Sequence, residues 1–308
     1  MVRTALSVIP EELIEQMIIL SIDDTMVEKY GEHFENRELL FDHAKHNGSN
    51  YLNGHCFVNI MLSIPVLENG REQYLSFPVG YRMCTKEETK LSMAADMVKE
   101  VMDIIGSERN VCLCCDSWYP KAEITELPKK YSNLAIICNV RHDTALYNLP
   151  PAKTGKKGRP KVRGKKLSFD DFGFSLVKGT DYSVGCRQVI TKLFGNMPVH
   201  AIVTKTKNGT QRLFICTKSP DELNFDFTSP ELGKSSLFAK TDINFLPLTV
   251  YFMRWHIEVA YYEQKKFWTF ENYMLHSKIG IERLTSLITV LYAFMILLPF
   301  YDKTFSVL

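Results

Sequence analysis

Four side chains in the last quarter of the chain are spaced as one face of an α-helix would space them. Tyr251, Arg254, Glu258 and Lys265 stand at offsets of zero, three, seven and fourteen residues. At about 3.6 residues per turn, offsets of seven and fourteen return close to the starting direction, and an offset of three falls on the next turn. The pattern predicts one helix with all four groups on one face. Its carboxylate can hold a metal ion while the phenol and the two cations bind phosphates.

The same spacing has a simpler interpretation, a solvated amphipathic face on which Arg254 and Glu258 form an ion pair at i,i+4. Two further acids favour the chemical interpretation. Asp23 and Asp116 each follow a short apolar run. Such runs suit central strands whose ends are exposed at an active site. Asp23, Asp116 and Glu258 are therefore candidates for one site.

The segments around these acids alternate between strand and helix patterns. After the strand that carries Asp23, Asn69-Gly70 separates two strand-like runs and is a strong hairpin signal. A helical stripe then ends at Gly106, and strands that end at Asp116 and Val140 follow. This order predicts a mixed α/β fold.

The spacing Tyr-x2-Arg-x3-Glu-x6-Lys is similar to the signature of one large branch of bacterial insertion-sequence transposases. That branch belongs to the DDE superfamily, which includes the retroviral integrases. Its first aspartate commonly stands as Asp-x-Thr at the end of the first strand, and Asp23-Asp24-Thr25 resembles this motif. Because two acids are adjacent there, Asp24 is the alternative to Asp23. Asp116 stands where the family's second aspartate is expected.

The resemblance implies an RNase H-like mixed sheet flanked by helices and interrupted by a β-rich insertion. We predict the first part of this catalytic core over residues 1–142, the insertion over 143–245 with a basic linker at 153–166, and the final core helices over 246–308. Short β-like runs fill the predicted insertion, and helical periodicity returns only near Leu246.

The resemblance also implies a role for each site residue. Asp23 would bridge two Mg²⁺ ions, for which Mn²⁺ is a possible substitute, while Asp116 and Glu258 would each hold one ion. Two divalent ions about 3.5–4 Å apart activate the attacking oxygen and stabilise the leaving oxygen of phosphodiester cleavage. The signature's other three residues, Tyr251, Arg254 and Lys265, would position phosphates without reading base sequence.

The implied activity is cleavage of transposon ends and strand transfer into target DNA, by a homodimer bound to double-stranded DNA. A basic run with no acid is the candidate for general phosphate affinity, and a solvated linker is its alternative. Its DNA-binding residues are predicted to be Lys156, Lys157, Arg159, Lys161 and Arg163. The alternative function is a truncated, transposase-derived DNA-binding protein without transposition, because the first catalytic strand begins within about twenty residues of Met1.

Composition adds three expectations. The eight cysteines lie mostly in apolar runs, which predicts buried thiols in a reducing cytoplasm. The resemblance to insertion-sequence transposases implies that this is the bacterial cytoplasm, with the protein on the nucleoid. The uncharged segment Leu284–Tyr301 is at the length threshold for a membrane span, and we expect a buried core helix and no membrane association. Trp118 and Trp255 are expected to pack in the core more readily than to stack on bases.

Overall fold

A single twelve-stranded sheet organises the chain in this computed structural model, which describes residues 1–42, 49–152, 159–223, 238, 241–302 and 304. The strands are β1 (Ile18–Glu28), β2 (Glu38–Phe41), β3 (Tyr51–Glu68), β4 (Arg71–Met83), β5 (Val111–Cys115), β6 (Leu134–Val140), β7 (Leu146–Tyr147), β8 (Lys166–Leu167), β9 (Ser175–Leu176), β10 (Tyr182–Thr191), β11 (Pro198–Thr206) and β12 (Gln211–Cys216). The helices are α1 (Val2–Leu6), α2 (Lys90–Ile105), α3 (Ala122–Thr125), α4 (Leu127–Lys130), α5 (Leu246–Phe252), α6 (Trp255–Phe267) and α7 (Lys278–Tyr301).

The centre of the sheet has the order β4-β3-β1-β5-β6. Strands β4, β3 and β1 are antiparallel neighbours, whereas β1, β5 and β6 run parallel. This mixed α/β arrangement is compatible with the RNase H-like fold of DDE enzymes. The predicted order of a strand, a hairpin, a helix and two further strands is confirmed.

The hairpin between β3 and β4 turns where the Asn-Gly pair predicts it. Asn69 and Gly70 have φ angles of 51° and 73°, and the flanking residues Glu68 and Arg71 are paired. A two-residue turn of this kind needs positive φ at both positions, which asparagine and glycine adopt at low cost. The turn sets the register of two long strands that support β1.

The parallel strands are buried on both faces. Every residue of β5 is buried, and β1 is buried from Ile18 to Ile22. Successive side chains of a strand point to opposite faces, and Ile18 and Ile19 accordingly belong to two different hydrophobic clusters. The expectation of buried thiols is met in β5 and β6, where Cys112, Cys114, Cys115 and Cys138 are fully buried.

The region predicted as an insertion is β-rich, and its strands continue the central sheet. Strand β12 pairs antiparallel with β6, from Leu213 opposite Val140 to Cys216 opposite Ile137. The order then runs β12-β11-β10-β7-β8 to the far edge. Hydrogen bonds between β6 and β12 thus link the first part of the core to this region. That residues 143–245 form a separate insertion domain stays a prediction.

Helix α7 corrects the expectation of a buried core helix. One face, which includes Ile281, Ile288 and Leu297, is buried, and the helix packs against β4. The opposite face leaves large apolar side chains exposed, namely Leu287, Val290, Leu291, Phe294 and Met295. Apolar residues lie all around this helix, whereas packing on one face of a sheet needs an apolar stripe of only about three or four positions in two turns. The remaining apolar side chains are therefore left exposed. Among the described residues, α7 is a helix long and apolar enough to cross a membrane, a test that helices of soluble proteins also pass.

We predict unequal effects on stability for substitutions at two adjacent residues of α7. Ile288→Ala should lower the free energy of unfolding by about 2–4 kcal/mol, because it truncates a core side chain that is only 5% exposed. Leu287→Ala, which truncates a side chain that is 55% exposed, should change it by less than about 0.5 kcal/mol. Urea denaturation monitored by circular dichroism measures both. Equal effects of the two substitutions would contradict this orientation of α7.

Candidate active site

Two of the predicted carboxylates lie at the ends of adjacent parallel strands. The β1–β5 register pairs Ile22 with Cys115, so Asp23 and Asp116 occupy the next position on each strand path. Neighbouring strands are about 4.8 Å apart, and residues at equivalent positions of a parallel pair point to the same face. The negative charge of Asp116 accordingly raises the pKa of Asp23. Strand pairing therefore brings these two carboxylates together.

The segment Tyr251–Lys265 is two helices where the spacing predicts one. Helix α5 ends at Phe252, α6 begins at Trp255, and between them the backbone closes short i→i−3 hydrogen bonds. The N–H of Arg254 donates to the carbonyl of Tyr251, and that of Ile257 donates to the carbonyl of Arg254. Bonds of this kind tighten the helix to about three residues per turn, which places residues three apart over one another. Tyr251 and Arg254 are thus neighbours across the junction.

Arg254 joins two of the predicted ligands. Its Nη1 donates a hydrogen bond to Asp23 Oδ2 at 2.8 Å, and its Nη2 donates to Glu258 Oε1 at 2.7 Å. The guanidinium is mostly buried, whereas the Glu258 carboxylate is about one-third exposed. The i,i+4 ion pair is therefore present, but the guanidinium also reaches across to β1. A cation lies between Asp23 and Glu258.

Asp24 belongs to a different set of contacts on the other face of β1. Its Oδ2 accepts a hydrogen bond from Lys90 Nζ at 2.7 Å, at the start of α2. Its Oδ1 accepts one from the hydroxyl of Tyr119 at 3.0 Å. Because adjacent strand residues point to opposite faces, Asp23 faces α6, the helix that carries Glu258 and Lys265, and Asp24 faces α2.

The remaining two signature residues are turned inward. Tyr251 is buried, its ring packs edge-to-face on Phe214 with centroids 5.0 Å apart, and it lies beside the Arg254 guanidinium. Lys265 Nζ donates a hydrogen bond to the carbonyl of Met26 at 2.7 Å. Burial lowers the pKa of Lys265. Arg254 and Lys265 therefore both attach α6 to β1.

Asp23 holds its proton more tightly than an ordinary aspartate. Burial raises its pKa, Arg254 and the N–H of Asp24 lower it, and the charge of Asp116 raises it, so that the pKa of Asp23 is about 7. The 2.8 Å ion pair with Arg254 stabilises the charged form, but it does not fully offset the loss of water around the carboxylate. In the absence of a metal ion, Asp23 is therefore partly protonated at neutral pH.

Comparison with known families assigns the chain to a class of enzyme. Residues 1–173, more than half of the 308-residue chain, match a family described as DDE superfamily endonuclease. The chain belongs to this family. The matched segment contains Asp23, Asp24 and Asp116 and ends before Glu258. No curated protein matches the chain.

The carboxylate oxygens of this DDE endonuclease are of the type that a hard divalent cation prefers, but the three carboxylates do not converge on one point. DDE nucleases typically use divalent metal ions, and carboxylate oxygens are the ligands that Mg²⁺ prefers. Asp23 and Asp116 supply such oxygens side by side, while Glu258 is bonded to Arg254. Among the described residues, no three carboxylate, histidine or cysteine side chains converge closely enough to hold an ion. The pair of aspartates is the preassembled part of the site.

The basic segment lies away from the carboxylates of the endonuclease. Its last residue, Lys166, begins β8, which pairs with β7 at the edge of the sheet. Seven strand spacings of about 4.8 Å separate β8 from β1, roughly 34 Å along the sheet. Arg163 stacks over the ring of Tyr147 at 4.5 Å from its centroid, and Arg159 and Lys161 are exposed. Lys156 and Lys157 lie outside the described residues.

Several polar partners of these acids were not predicted from the sequence. Lys90 and Tyr119 bind Asp24, and Asn59 pairs with Asp23 across the β1–β3 ladder. The Asn59 side chain is fully buried, with no hydrogen-bond partner among the described residues. An asparagine inside the apolar run of β3 is the sequence signal for such a position, since a buried amide is costly. Lys90 and Tyr119 carry no comparable local signal.

The two tryptophans contradict the expectation of core packing. Trp118 is 41% exposed and Trp255 is 61% exposed. Trp118 follows Asp116 by two residues, and Trp255 follows Arg254 directly. Both rings are exposed because Trp118 lies in the turn that leaves the sheet after β5 and Trp255 begins a helix at the surface.

We predict that the raised pKa of Asp23 appears as a pH dependence of stability in metal-free buffer. Between about pH 4 and pH 7 the folded chain holds a proton that the unfolded chain has lost, so stability falls as pH rises through this window. Each pKa unit corresponds to about 1.4 kcal/mol, so the loss is on the order of a few kcal/mol. Asp23→Asn should remove this loss and gain stability relative to wild type as pH rises.

Urea denaturation with EDTA at several pH values measures the effect. Asp170→Asn, which removes an exposed carboxylate, is the control for a change in net charge. Parallel pH profiles of wild type and Asp23→Asn would show that Asp23 is ionised in the folded chain throughout.

Proposed function

We propose that this chain is the catalytic core of a DNA transposase that cleaves transposon ends and transfers the strand into target DNA. The observation that carries this proposal is the convergence on Asp23. Its carboxylate lies beside Asp116 at the ends of parallel strands and is bonded by Arg254, which also holds Glu258. The family assignment supplies the endonuclease class. We also propose that DNA is the substrate and that the chain belongs to the transposase branch with the Tyr-x2-Arg-x3-Glu-x6-Lys signature.

In this proposal Asp23, Asp116 and Glu258 hold two Mg²⁺ ions, or Mn²⁺ in their place. When bound, such ions activate the attacking oxygen and stabilise charge on the leaving oxygen. Asp23 is the residue between the other two, since Asp116 lies beside it and Glu258 is linked to it through Arg254. Loss of its proton prepares it as a ligand, because a metal ligand must be deprotonated.

The cations of the signature have positioning roles. Arg254 presents a planar set of donors that matches a phosphate as well as a carboxylate. Its bonds to Asp23 and Glu258 hold it where a scissile phosphate would meet the carboxylates. Exchange of one carboxylate partner for a phosphate oxygen would free Glu258 to act as a ligand. Tyr251 supports Arg254 from the core, and Lys265 keeps α6 against β1 or binds the next phosphate.

Double-stranded DNA is the proposed partner along the whole sheet. A separation of roughly 34 Å between β1 and β8 equals about one turn, or ten base pairs, of duplex DNA. Arg159, Lys161 and Arg163 would then contact phosphates about a turn away from the cleaved bond. We further propose that the enzyme acts as a homodimer on DNA, in the bacterial cytoplasm on the nucleoid. The exposed apolar face of α7 is a surface suited to burial between copies.

We predict that Mg²⁺- or Mn²⁺-dependent nicking of supercoiled plasmid DNA is lost in three single variants. Asp23→Asn, Asp116→Ala and Glu258→Ala should each reduce the rate on the order of a thousandfold, since metal catalysis supplies several kcal/mol and each 1.4 kcal/mol is about tenfold. Gel analysis of relaxed plasmid measures the rate.

Asp24→Asn is the matched control for the neighbouring acid. It should retain nicking and lower stability by about 1–3 kcal/mol, because Lys90 loses a charged partner. Loss of nicking in Asp24→Asn with activity retained in Asp23→Asn would reverse the two roles. Undiminished nicking in Asp116→Ala and Glu258→Ala would exclude the DDE site. Salt-sensitive DNA binding by wild type without cleavage would support the alternative, a binding protein that does not transpose.

We predict that the described part of the basic segment contributes nonspecific DNA affinity. Replacing Arg159, Lys161 and Arg163 together by alanine should reduce the slope of log affinity against log salt by up to about 0.9 per lost phosphate contact. Fluorescence anisotropy with a labelled duplex measures the slope. A triple variant of exposed residues elsewhere, Arg3→Ala, Lys130→Ala and Arg283→Ala, changes net charge equally and should keep the wild-type slope. Equal slopes in both triple variants would show that the basic segment is a solvated linker that does not contact DNA.

A further inference from the structure

Two cysteines lie opposite each other at the open end of the β3–β4 hairpin. The ladder pairs Phe57 with Met83, and the N–H of Cys84 donates to the carbonyl of Cys56 at 2.8 Å, so these cysteines form the next pair. Opposed residues of an antiparallel pair point to the same face, with Cα atoms about 5.5 Å apart where backbone hydrogen bonds join them. Disulfides span Cα separations of roughly 4.4–6.8 Å. The backbone therefore holds the two sulfurs within reach of a disulfide bond.

The two thiols have unequal access to solvent. Cys56 is 2% exposed, and its thiol donates a hydrogen bond to Asp24 Oδ2 with 3.3 Å between sulfur and oxygen. Cys84 follows the last residue of β4 and is half-buried. Partly exposed cysteines are the ones that reagents in solution reach, whereas fully buried thiols are inert on their own. A small oxidant therefore meets the sulfur of Cys84 first, and Cys56 is its buried partner.

The surroundings of Cys84 favour a reactive sulfur. Hydrogen bonding with Cys56 lowers the pKa of Cys84, burial raises it, and the charge of Lys90 lowers it, so that the pKa lies below its ordinary value. Lys90 is fixed beside the pair, because its Nζ is bonded to Asp24 at 2.7 Å and also hydrogen-bonds to the sulfur of Cys56. A partly exposed cysteine next to a cation and a second thiol is the setting in which redox-sensitive cysteines occur.

We propose that Cys84 and Cys56 form a redox-sensitive modification site, which hydrogen peroxide converts to a disulfide. The Cys84 sulfur attacks one peroxide oxygen, the O–O bond breaks, and Cys84 becomes a sulfenic acid while the other oxygen leaves as hydroxide and takes the thiol proton to form water. The Cys56 sulfur then attacks the Cys84 sulfur, the S–S bond forms and the S–O bond breaks. Hydroxide leaves with the proton of Cys56 as a second water. The two thiols thus lose two electrons, and one peroxide is reduced to two waters.

This site goes beyond the proposed function, because no cleavage step uses either sulfur. It nevertheless adjoins the candidate active site, since Cys56 is one of three donors to Asp24, beside Lys90 and Tyr119. Formation of the disulfide removes the S–H donor and leaves the other two. In the reducing cytoplasm proposed for this chain, disulfides are typically transient and redox-sensing. The pair therefore makes the support of Asp24 depend on the oxidation state of its surroundings.

The test counts the free thiols of the full chain before and after oxidation. The folded, reduced protein is treated with hydrogen peroxide, the oxidant is removed, and thiols are titrated with a chromogenic reagent in denaturant. Wild type should fall from eight free thiols to six, because one disulfide consumes two. Mass spectrometry of a digest made without reductant should find the peptide of Cys56 joined to that of Cys84. Dithiothreitol should restore all eight thiols.

Single variants assign the role of each group. Cys84→Ser should keep all of its remaining thiols under the same treatment, whereas Cys56→Ser should stop at a sulfenic acid on Cys84, which a cyclic 1,3-dione labels. Lys90→Gln should slow disulfide formation by up to about tenfold, the change in the ratio of thiolate to thiol for one pKa unit. Cys186→Ser is the matched control, because Cys186 is also half-buried but lies on β10, where burial raises its pKa to about 11. It should form the disulfide at the wild-type rate.

Eight free thiols in wild type after peroxide treatment would overturn the proposal, as would a disulfide that joins other cysteines or two copies of the chain. Labelling of Cys56 in Cys84→Ser as fast as that of Cys84 in Cys56→Ser would overturn the assigned order of attack. The thiol count and the peptide linkage are measured on wild type, so the proposal stays testable if a substitution impairs folding. Neither measurement uses DNA, so failure of the proposed cleavage and failure of the disulfide are distinguishable.

Discussion

The bridge that Arg254 makes between Asp23 and Glu258 is the interaction on which the candidate site depends. One guanidinium connects a strand of the core to a helix more than two hundred residues later in the chain. Without the cation, two buried or half-buried carboxylates would face each other near a third, and like charges at such distances disfavour ionisation. The bridge therefore stabilises the charged form of a site that otherwise has an excess of negative charge. Burial nevertheless keeps the pKa of Asp23 near 7, so the site is poised to accept positive charge.

The alternation of side chains along β1 gives its two adjacent acids different surroundings. Asp23 and Asp24 are adjacent in sequence, yet one faces α6 and the other is held by Lys90 and Tyr119. The second acid is bonded on both of its oxygens and links α2 to the turn after β5. That turn carries Asp116 and Trp118. Asp24 thus helps to fix the second aspartate from the opposite side of the sheet, which gives the pair of adjacent acids two different uses.

Much of this organisation could be predicted from sequence because it follows from short-range rules. The Asn69-Gly70 turn, the buried strand before Asp116 and the return of helices at Leu246 each depend on local backbone preference and apolar periodicity. The break between α5 and α6 could not be predicted in this way, since Tyr251–Lys265 has good helical spacing throughout. Its short i→i−3 bonds form where Tyr251 packs on Phe214 and Arg254 bonds to Asp23, contacts with residues distant in sequence. The exposure of Trp118 and of one face of α7 likewise depends on which surfaces remain uncovered after the sheet has formed.

The continuous sheet explains how a weakly charged chain can act on a highly charged polymer. The net charge is only +2, so long-range attraction by the whole molecule is slight. Pairing of β12 with β6 instead fixes a basic edge and an acidic centre on one rigid framework. Phosphates bound at the edge would supply affinity, and that affinity would bring a scissile phosphate to carboxylates that would repel it on their own. Arg254 and, in the proposed enzyme, divalent cations would then provide positive charge only where the reaction needs it. In the proposed complex, a separation of about one duplex turn between the two regions would let the first contact raise the local concentration of DNA at the second without occupying it.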